Sequence, residues 1–464
     1  MKNSIPTNRV QLRTCLRILC VALFLNPCQG WAEELTASQR GYRNLTTKAY
    51  LPSDFDQDIF DDLWTVWEEP LRSRAEKATV DSRRAMAMER YGLLPQQKLP
   101  SHALQYVVAP NGNWAMSCLA CHQGQVAGKI FPGLPNTNYA LETLTEEVRS
   151  IKIRQQKSLG HMDLGSLLMP LGTTNGTTNA VMFGVALMRY RDKDLNIVPR
   201  PFSFDMVHHD VDAPAWWHYA KRDRIYADGF APKGHRILMQ FLLVKENGPL
   251  QFAAWEDDFR DIEAWLLELK SPPWEWEVDT ASASVGRHLF ENHCADCHGS
   301  YGAVTDSSIK YPNRIVSIDE IGTDRVRYDS LTRTARRNLM ESWFAHSGLD
   351  GGDDNPSGYV APPLDGIWAT APYLHNGSVP TLWHLLHSSQ RPRIWKRTPS
   401  GYDQQRIGLD IECLIEMPSG PLSNAQRRGY FDTRRIGKSA AGHDFQEALD
   451  ENEKKALLEY LKTI

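Results

Sequence analysis

Hydrophobic positions near the end of the chain recur at helical spacing. Four of them fall at positions i, i+3, i+4 and i+7, so they share one face of a helix: Leu457, Tyr460, Leu461 and Ile464. This pattern predicts an amphipathic helix over about residues 447–464. A second amphipathic stretch covers residues 255–270, and its end, residues 264–270, resembles residues 456–462. The similarity indicates a loose internal repeat.

A third helix is predicted over residues 285–293, because Val285, Leu289 and His293 lie on one side of it. Between the second and third helices, prolines at residues 272–273 and the small polar residues 280–284 predict a linker. The boundary therefore falls near residue 280, giving units 33–280 and 281–464. The first unit has a polar, partly helical lead-in over 33–110 and an insertion over 140–250, in which residues 172–179 are predicted to form an irregular loop. Sustained period-2 alternation is missing, so any sheet is small.

The first 32 residues read as a secretory signal peptide. Basic residues precede an apolar run over 18–25, and residues 30–32 offer a cleavage site after Ala32. A membrane anchor is the alternative, but the run has eight residues where a span needs about 20. A lipoprotein cut before Cys28 fits poorly because Asn26 and Pro27 precede it. We therefore expect a periplasmic or secreted protein without an integral membrane segment after signal removal.

Charge and cysteine usage narrow the function classes. The 464-residue chain has a formal net charge of −4. Residues 1–32 carry four basic and no acidic side chains, so the exported part is nearer −8. A nucleic-acid partner would need a basic face and is not expected. Small redox proteins or a small-molecule substrate or oxidant are the expected partners. Five cysteines remain after the signal, and four of them form two pairs.

Each pair belongs to a Cys-x-x-Cys-His motif. The first holds Cys118, Cys121 and His122, and the second holds Cys294, Cys297 and His298. Two thiols three positions apart can form thioethers with the two vinyl groups of one haem, and the following histidine then supplies a ligand to the iron. A zinc ribbon would need its second pair about 15–20 residues after the first, and the observed gap is far longer. The motifs therefore predict two covalently bound haem c groups.

One long segment carries a family resemblance. Residues 359–386 include Pro372, Tyr373, His375, Asn376 and Gly377, and this stretch resembles the signature of bacterial di-haem cytochrome c peroxidases. Within that superfamily it is most similar to the branch of rubber-oxygenase-like c-type cytochromes. Residues 133–137, 431–433 and 442–444 support the resemblance, which covers about residues 110–464.

The resemblance implies a fold and a separate role for each of the two haems. The fold would be mainly α, with two cytochrome c-type haem domains, long irregular insertions and little sheet. The first haem would react with peroxide or dioxygen through an open or weakly held position. The second would be closed by two histidines and transfer electrons, with His443 matching the family's second ligand beside His298. The alternative is a plain electron-transfer cytochrome without a substrate site.

Several residues remain candidates for the open side of the first haem, and no catalytic residue is assigned. They are His208, His209, His235 and Met169. Trp216 and Trp217 could relay electrons at a haem edge, although aromatic packing in a core is the commoner role. His375 is interpreted as a buried histidine bonded to a propionate or to the backbone rather than as a ligand.

Two further features have simpler interpretations. Residues 350–355 are rich in oxygen ligands and could bind calcium, but they lack EF-hand spacing and a closing glutamate, which favours a solvated turn. Cys413 is expected to be a buried lone thiol, with an intermolecular bridge as the alternative.

Overall fold

The computed structural model describes Met1 and residues 34–201, 207–301, 311–346 and 352–464. The chain divides into two units, Met1–Thr36 and Ala37–Ile464, and all helices and strands of the described residues lie in the second. The expected signal peptide lies almost entirely outside the described residues, as do Asp350 and Gly351 of the acidic loop. No helix in the described ranges has the length and apolar character needed to cross a membrane.

Helices dominate the described residues. The α-helices, numbered α1 to α19 in chain order, are Ala37–Thr47, Gln57–Asp62, Leu71–Glu76, Val80–Tyr91, Leu119–His122, Leu141–Arg154, His161–Leu168, Ala180–Arg189, His235–Leu238, Pro249–Ala254, Glu256–Glu268, Thr280–His293, Ala295–His298, Ile318–Ile321, Val326–Ser330, Arg333–Met340, Leu382–Leu386, Asn424–Arg428 and Glu451–Leu461. The 3-10 helices are Leu63–Val66, Trp216–Ala220, Met239–Leu242, Ile367–Ala369, Ser388–Gln390 and Phe445–Ala448.

The strands are short and form small antiparallel sheets. Numbered β1 to β14, they are Phe55–Asp56, Tyr106–Val108, Asn113–Met116, Gln125–Val126, Lys129–Ile130, Thr177–Thr178, Val211–Asp212, Arg224–Ile225, Ala231–Pro232, Ile315–Ser317, Gly358–Val360, Ile394–Asp403, Gly408–Leu414 and Tyr430–Asp432. The larger sheets have the orders β1-β3-β2 and β13-β12-β14, and the others are pairs. The predicted mainly α class with little sheet is confirmed.

Two helix pairs cross at a glycine. Helix α1 packs on α11, and α12 packs on α19. A Cβ atom added at Gly41 would lie 2.1 Å from the carbonyl oxygen of Asp261, and one added at Gly286 would lie 2.0 Å from that of Ala456. The backbones can approach this closely only because glycine has no side chain. The predicted helices over 255–270, 285–293 and 447–464 correspond to α11, α12 and α19, whereas the lead-in supplies α1 as a partner that the sequence pattern did not predict.

The predicted linker is shorter than expected. The interpretation of residues 280–284 as linker is wrong, because they form the first turn of α12. Asp279 explains the difference, since its carboxylate accepts hydrogen bonds from the backbone nitrogens of Ala281 and Ser282, both at 3.1 Å. An aspartate N-cap of this kind satisfies donors that the first turn leaves free.

The hydrophobic cores draw on both sides of residue 280. One core joins Leu134 and Trp217 to Phe290, Trp368 and Leu457. A second core joins residues that precede position 280 to Leu331, Leu339 and Phe344. A third core lies within residues 55–171. The boundary near residue 280 stays a prediction about the chain, and the packing across it is extensive.

Cys413 is not a buried thiol as expected, because its side chain is exposed. It lies near the end of β13, opposite Trp395 of β12. Strand β13 is at the edge of its three-stranded sheet, so nothing in the sheet covers its outer side.

Asp54 gives a prediction about stability. Its carboxylate is buried and accepts a hydrogen bond from the backbone nitrogen of Met116 at 3.2 Å. Its Oδ1 has no hydrogen bond in the described residues and lies 3.9 Å from Nε2 of His161. Burial raises the pKa of Asp54 to about 7. The unfolded chain ionises at this position near pH 4 and the folded protein near pH 7, so the folded state loses stability as the pH rises through that window.

Replacing Asp54 with asparagine removes this loss. We expect Asp54→Asn to raise the melting temperature at pH 8, equivalent to a gain on the order of 3 kcal/mol, and to leave it nearly unchanged at pH 4. Thermal melts of the haem-loaded protein at both pH values measure the effect. Asp194→Asn, at an exposed loop position, is the control. An equal effect at both pH values would contradict the explanation.

Candidate haem-binding sites

The first motif lies on a single helical turn. Cys118 precedes α5, Leu119–His122, which carries Cys121 and His122. The two thiols are not joined in a disulfide. The Nδ1–H of His122 donates to the carbonyl oxygen of Pro214 at 3.1 Å. Because Nδ1 carries the proton, the lone pair of Nε2 is available to a metal ion.

The second motif repeats this arrangement. Cys294 precedes α13, Ala295–His298, which carries Cys297 and His298. The thiols of Cys294 and Cys297 are also free. The Nδ1–H of His298 donates to the carbonyl oxygen of Pro362 at 2.8 Å. Both imidazoles are thus held in the same tautomer by a proline carbonyl, which is how proteins commonly orient a metal-bound histidine.

The two proline acceptors are residues that sequence reasoning missed. Pro214 and Pro362 lie 92 and 64 residues after the histidines they hold. Each follows an alanine, but Ala-Pro pairs also occur elsewhere in the chain. With separations as unequal as 92 and 64 residues, the sequence alone does not single these two prolines out.

The electrostatics of both imidazoles favour a neutral ring. Burial lowers the pKa of His122 to about 4 and that of His298 to about 4. A protonated ring cannot bind a metal, so both histidines are in their ligating form at neutral pH. Burial also raises the pKa of the Cys118 thiol to about 11 and those of Cys121 and Cys294 to about 12.

His443 faces His298. The centres of the two rings are 6.1 Å apart, and their planes are inclined by 52°. Metal–imidazole bonds of about 2 Å place two imidazoles on opposite sides of one metal ion with their ring centres about 6 Å apart. The structure therefore brings together the two side chains that the resemblance pairs, at the separation that a shared iron requires. Their roles as ligands stay predictions.

The loop that carries His443 is fastened at several points. The amide Nδ2 of Asn376 donates to the carbonyl oxygens of Gly437 and Ser439 at 3.1 and 3.0 Å. The guanidinium of Arg391 donates to the carbonyl oxygens of Ala440 and Gly442 at 2.6 and 2.7 Å. Sequence reasoning included Asn376 in the family signature without a role, and Arg391 was not singled out. Both now have a positioning role for His443.

Backbone contacts complete the placement of His443. Its N–H donates to the carbonyl oxygen of Ile321 at 2.7 Å, and its own φ is +55°. The preceding residue, Gly442, has φ +81° and packs on Gly322. A Cβ atom added at Gly442 would lie 2.3 Å from the carbonyl carbon of Gly322. Glycine before the histidine is therefore required by both conformation and space.

We expect Gly442→Ala to displace His443 from His298. In the haem-loaded protein, the high-spin fraction of the iron should rise several-fold, measured by absorption and electron paramagnetic resonance. Gly128→Ala is the matched control, because Gly128 has a similar φ of +76° and open space around it. If the two variants give the same spectrum, the packing of Gly442 does not position the ligand.

Trp216 lies against the first motif. Its indole stacks on the imidazole of His122, with ring centres 4.2 Å apart and planes inclined by 15°. Trp216 also packs against the second core and contacts Trp265, so its role as an electron relay stays a prediction. The neighbouring Trp217 is buried in the core and donates its indole N–H to the carbonyl oxygen of Asp365 at 2.8 Å.

A buried carboxyl also lies near the first motif. Asp212 pairs with Thr177 in the β6–β7 ladder and is two residues before Pro214. Burial raises the pKa of Asp212 well above its usual range, and Oδ1 has no partner in the described residues. The predicted irregular loop over 172–179 therefore contains β6 and reaches the surroundings of the first motif.

The other candidates for the open side have partners elsewhere. His208 pairs with Asp210, with 2.7 Å between Nε2 and Oδ1. The Nδ1–H of His209 donates to the carbonyl oxygen of Val207 at 3.2 Å. His235 contacts Glu256, with 3.2 Å between Nε2 and Oε1. Met169 is buried just after α7. None of these four has a ring contact or hydrogen bond with His122 in the described part of the chain.

His375 is half-buried and contacts residues near both sites. Its carbonyl oxygen accepts the N–H of Asp212 at 2.9 Å, and its ring lies 4.6 Å from that of Tyr359. Burial, with Arg327 nearby, lowers the pKa of His375 to about 3. The ring is therefore neutral near pH 7, and its expected hydrogen bond to a propionate or to the backbone stays a prediction.

The acidic loop is engaged in other contacts where it is described. Asp354 forms ion pairs with Arg333 and Arg337, at 3.0 and 2.8 Å. Asp353 accepts the N–H of Asn355 at 2.8 Å, as in a turn. Within the described residues, no group of three or more histidine, cysteine or acidic side chains could hold a metal ion by itself.

One segment matches a known family. Residues 358–396 match the family described as "RoxA-like, cytochrome c-like". This segment is cytochrome c-like. It contains Pro362, which holds His298, and both Asn376 and Arg391, which hold the loop of His443. A cytochrome c-like domain implies covalently bound haem c, and the donors at both motifs fit that group: two thiols and one neutral imidazole on one helical turn.

Two curated proteins of Sinorhizobium fredii (strain NBRC 101917 / NGR234) are similar to the chain that carries this cytochrome c-like segment. The uncharacterized protein y4iM is 30% identical over 294 residues, which is 54% of this chain and 64% of y4iM. The uncharacterized protein y4iJ is 28% identical over 261 residues, 42% of this chain and 41% of y4iJ. The chain thus spans less than two thirds of either relative.

Proposed function

We propose that the chain is an exported di-haem c-type cytochrome that acts as an oxidoreductase. One haem would be held by Cys118, Cys121 and His122, and the other by Cys294 and Cys297 with His298 and His443. The first would react with peroxide or dioxygen, and the second would exchange electrons with a small redox protein. The expected signal peptide and the thiol motifs support a periplasmic or secreted location.

The difference between the two sites carries this proposal. His298 is faced by the imidazole of His443 at 6.1 Å. In the described ranges, the ring that contacts His122 is the indole of Trp216, and no second imidazole faces it. An iron held by two histidines is saturated and suits electron transfer, whereas an iron with one protein ligand keeps a position for a substrate.

The residues around the sites have separate roles in this proposal. Bound haem would supply the redox chemistry at both motifs. Pro214 and Pro362 keep the proton on Nδ1 of each histidine and fix the direction of Nε2. Trp216 and Trp217 extend from His122 to Asp365, which is three residues after Pro362. These two consecutive residues therefore join the surroundings of the two sites through a ring contact at Trp216 and a hydrogen bond at Trp217.

A spectroscopic titration tests the enzyme against the plain electron carrier. The proposal expects one high-spin iron whose absorption shifts on adding cyanide or peroxide, and one low-spin iron that stays unchanged. The protein should be matured in a host that attaches haem c, and the spectra recorded in the oxidised and reduced states. Two low-spin irons whose absorption does not change with cyanide or peroxide would instead support the plain electron-transfer cytochrome.

A further inference from the structure

A buried group of arginines lies beside the second site. Asp228 accepts hydrogen bonds from Arg327 at 3.1 Å and from Arg336 at 2.9 Å. Arg222 donates to the carbonyl oxygen of Tyr226 at 2.6 Å and has no hydrogen bond or ion pair to a carboxylate in the described residues. We call Arg222, Tyr226, Asp228, Arg327 and Arg336 the arginine cluster. It combines three guanidinium groups with one carboxylate, and Arg327, Arg336 and Asp228 are buried.

Several donors of the arginine cluster lack a partner. The buried atoms without a hydrogen bond in the described residues include Arg327 Nη1, Arg222 Nε and the hydroxyl of Tyr226. Buried donors of this kind are rare in folded proteins, because each loses its hydrogen bonds to water. Unpaired donors on two different guanidinium groups and one phenol therefore indicate a missing acceptor.

The charge count gives the nature of that acceptor. One carboxylate neutralises one of the three guanidinium groups, which leaves an excess of two positive charges in a buried region. Burying unpaired charge is costly unless an opposite charge accompanies it. Two carboxylates on one ligand would balance the excess, and carboxylates accept the paired N–H groups of arginine well.

The position of the arginine cluster points to the second haem. The carbonyl oxygen of Ala227, inside the cluster segment, accepts the N–H of Val360 at 2.8 Å. The guanidinium of Arg327 lies 5.8 Å from the ring of Tyr359. Tyr359 and Val360 belong to β11, and two residues later the carbonyl of Pro362 holds His298. The arginine cluster thus packs on strand β11, which continues into Pro362, the residue that holds His298.

Nearby carboxylates are already engaged. The carboxylate of Asp324 accepts the N–H groups of Val326 at 2.9 Å and of Ser439 at 3.1 Å. Asp210 is paired with Lys438 at 2.7 Å and with His208. Neither is hydrogen-bonded to the unpartnered donors of the arginine cluster, so these two carboxylates do not supply the missing acceptor.

We propose that the arginine cluster binds the two propionate carboxylates of the haem attached at Cys294 and Cys297. This inference rests on the proposed function, because it requires a second haem. Tyr226, Arg222 and Arg327 donate to the carboxylates, and Asp228 with Arg336 holds Arg327 in place. The excess positive charge beside this haem favours its reduced state.

Tyr226→Phe is the decisive variant. It removes the unpartnered hydroxyl and leaves every protein–protein hydrogen bond of the arginine cluster in place, so it should fold normally. Resonance Raman spectra should show the propionate bending band of the low-spin haem at lower wavenumber, because that band follows the strength of the propionate hydrogen bonds. Arg327→Gln should shift the same band and lower the midpoint potential of the low-spin haem. Arg337→Gln, which is exposed and on the same helix as Arg336, should change neither.

The outcomes separate this inference from the proposed function. Haem content is measured first, and a chain with fewer than two haems contradicts the proposed function itself. With two haems present, unchanged bands of the low-spin haem in Tyr226→Phe overturn the inference, even if Arg327→Gln fails to fold. Bands that shift only for the high-spin haem also overturn it. If the band shift or the change in midpoint potential depends on added succinate or chloride, the arginine cluster binds a free anion. That result overturns the assignment to propionates.

Discussion

Replacing Cys294 and Cys297 together with alanine should leave one haem per chain, compared with the two that we propose for the unaltered protein. Both thioethers of the second haem are lost, and the remaining contacts through His298 and His443 are exchangeable metal–nitrogen bonds. The pyridine haemochrome spectrum of the denatured protein, divided by the protein concentration, measures the ratio. The remaining haem should keep the spectrum of the site at Cys118 and Cys121.

Cys413 provides the matched control for this experiment. It is a single exposed cysteine outside both motifs, so Cys413→Ala should retain two haems. The reciprocal replacement of Cys118 and Cys121 should also leave one haem, now with the low-spin spectrum of the site with two histidines. Two covalent haems in the Cys294/Cys297 variant would contradict the assignment of the second motif.

Replacing His443 with glycine should convert the low-spin iron of the second site to high spin. The imidazole 6.1 Å from His298 is the side chain positioned to complete that iron, and glycine offers no donor. Glycine also accepts the positive φ at this position, so the backbone of the loop is preserved. Absorption and electron paramagnetic resonance spectra report the conversion.

Free imidazole distinguishes ligand loss from misfolding in this variant. Added imidazole should restore the low-spin spectrum of His443→Gly, because the space left by the side chain admits the same donor. His387→Ala is the control, since His387 is also buried but contacts Glu451. A low-spin spectrum in His443→Gly without imidazole would rule out His443 as the ligand.

The sequence predicted the features that depend on local spacing. Helices α11, α12 and α19 follow from residues a few positions apart, and these were predicted correctly as elements. Pro214 and Pro362 were missed because their hydrogen bonds to His122 and His298 span 92 and 64 residues. Nothing in local periodicity reports a contact across such distances.

Other differences have equally specific causes. Residues 280–284 looked like a linker from their composition, but the carboxylate of Asp279 caps them into a helix. Helix α1 was not paired with α11 because its crossing depends on Gly41, whose importance appears only when the backbone of Asp261 lies beside it. Cys413 was expected inside because lone cysteines usually are, yet the edge position of β13 leaves it exposed.

The cores that span residue 280 limit how this chain can be divided. Leu331, Leu339 and Phe344 pack among side chains of the first half, while Leu134 and Trp217 pack among those of the second. A fragment cut at the boundary would expose these apolar groups to water on both sides of the cut. The halves are therefore not interchangeable modules, and moving either one into another protein would require a redesign of the surface that packs against the other half.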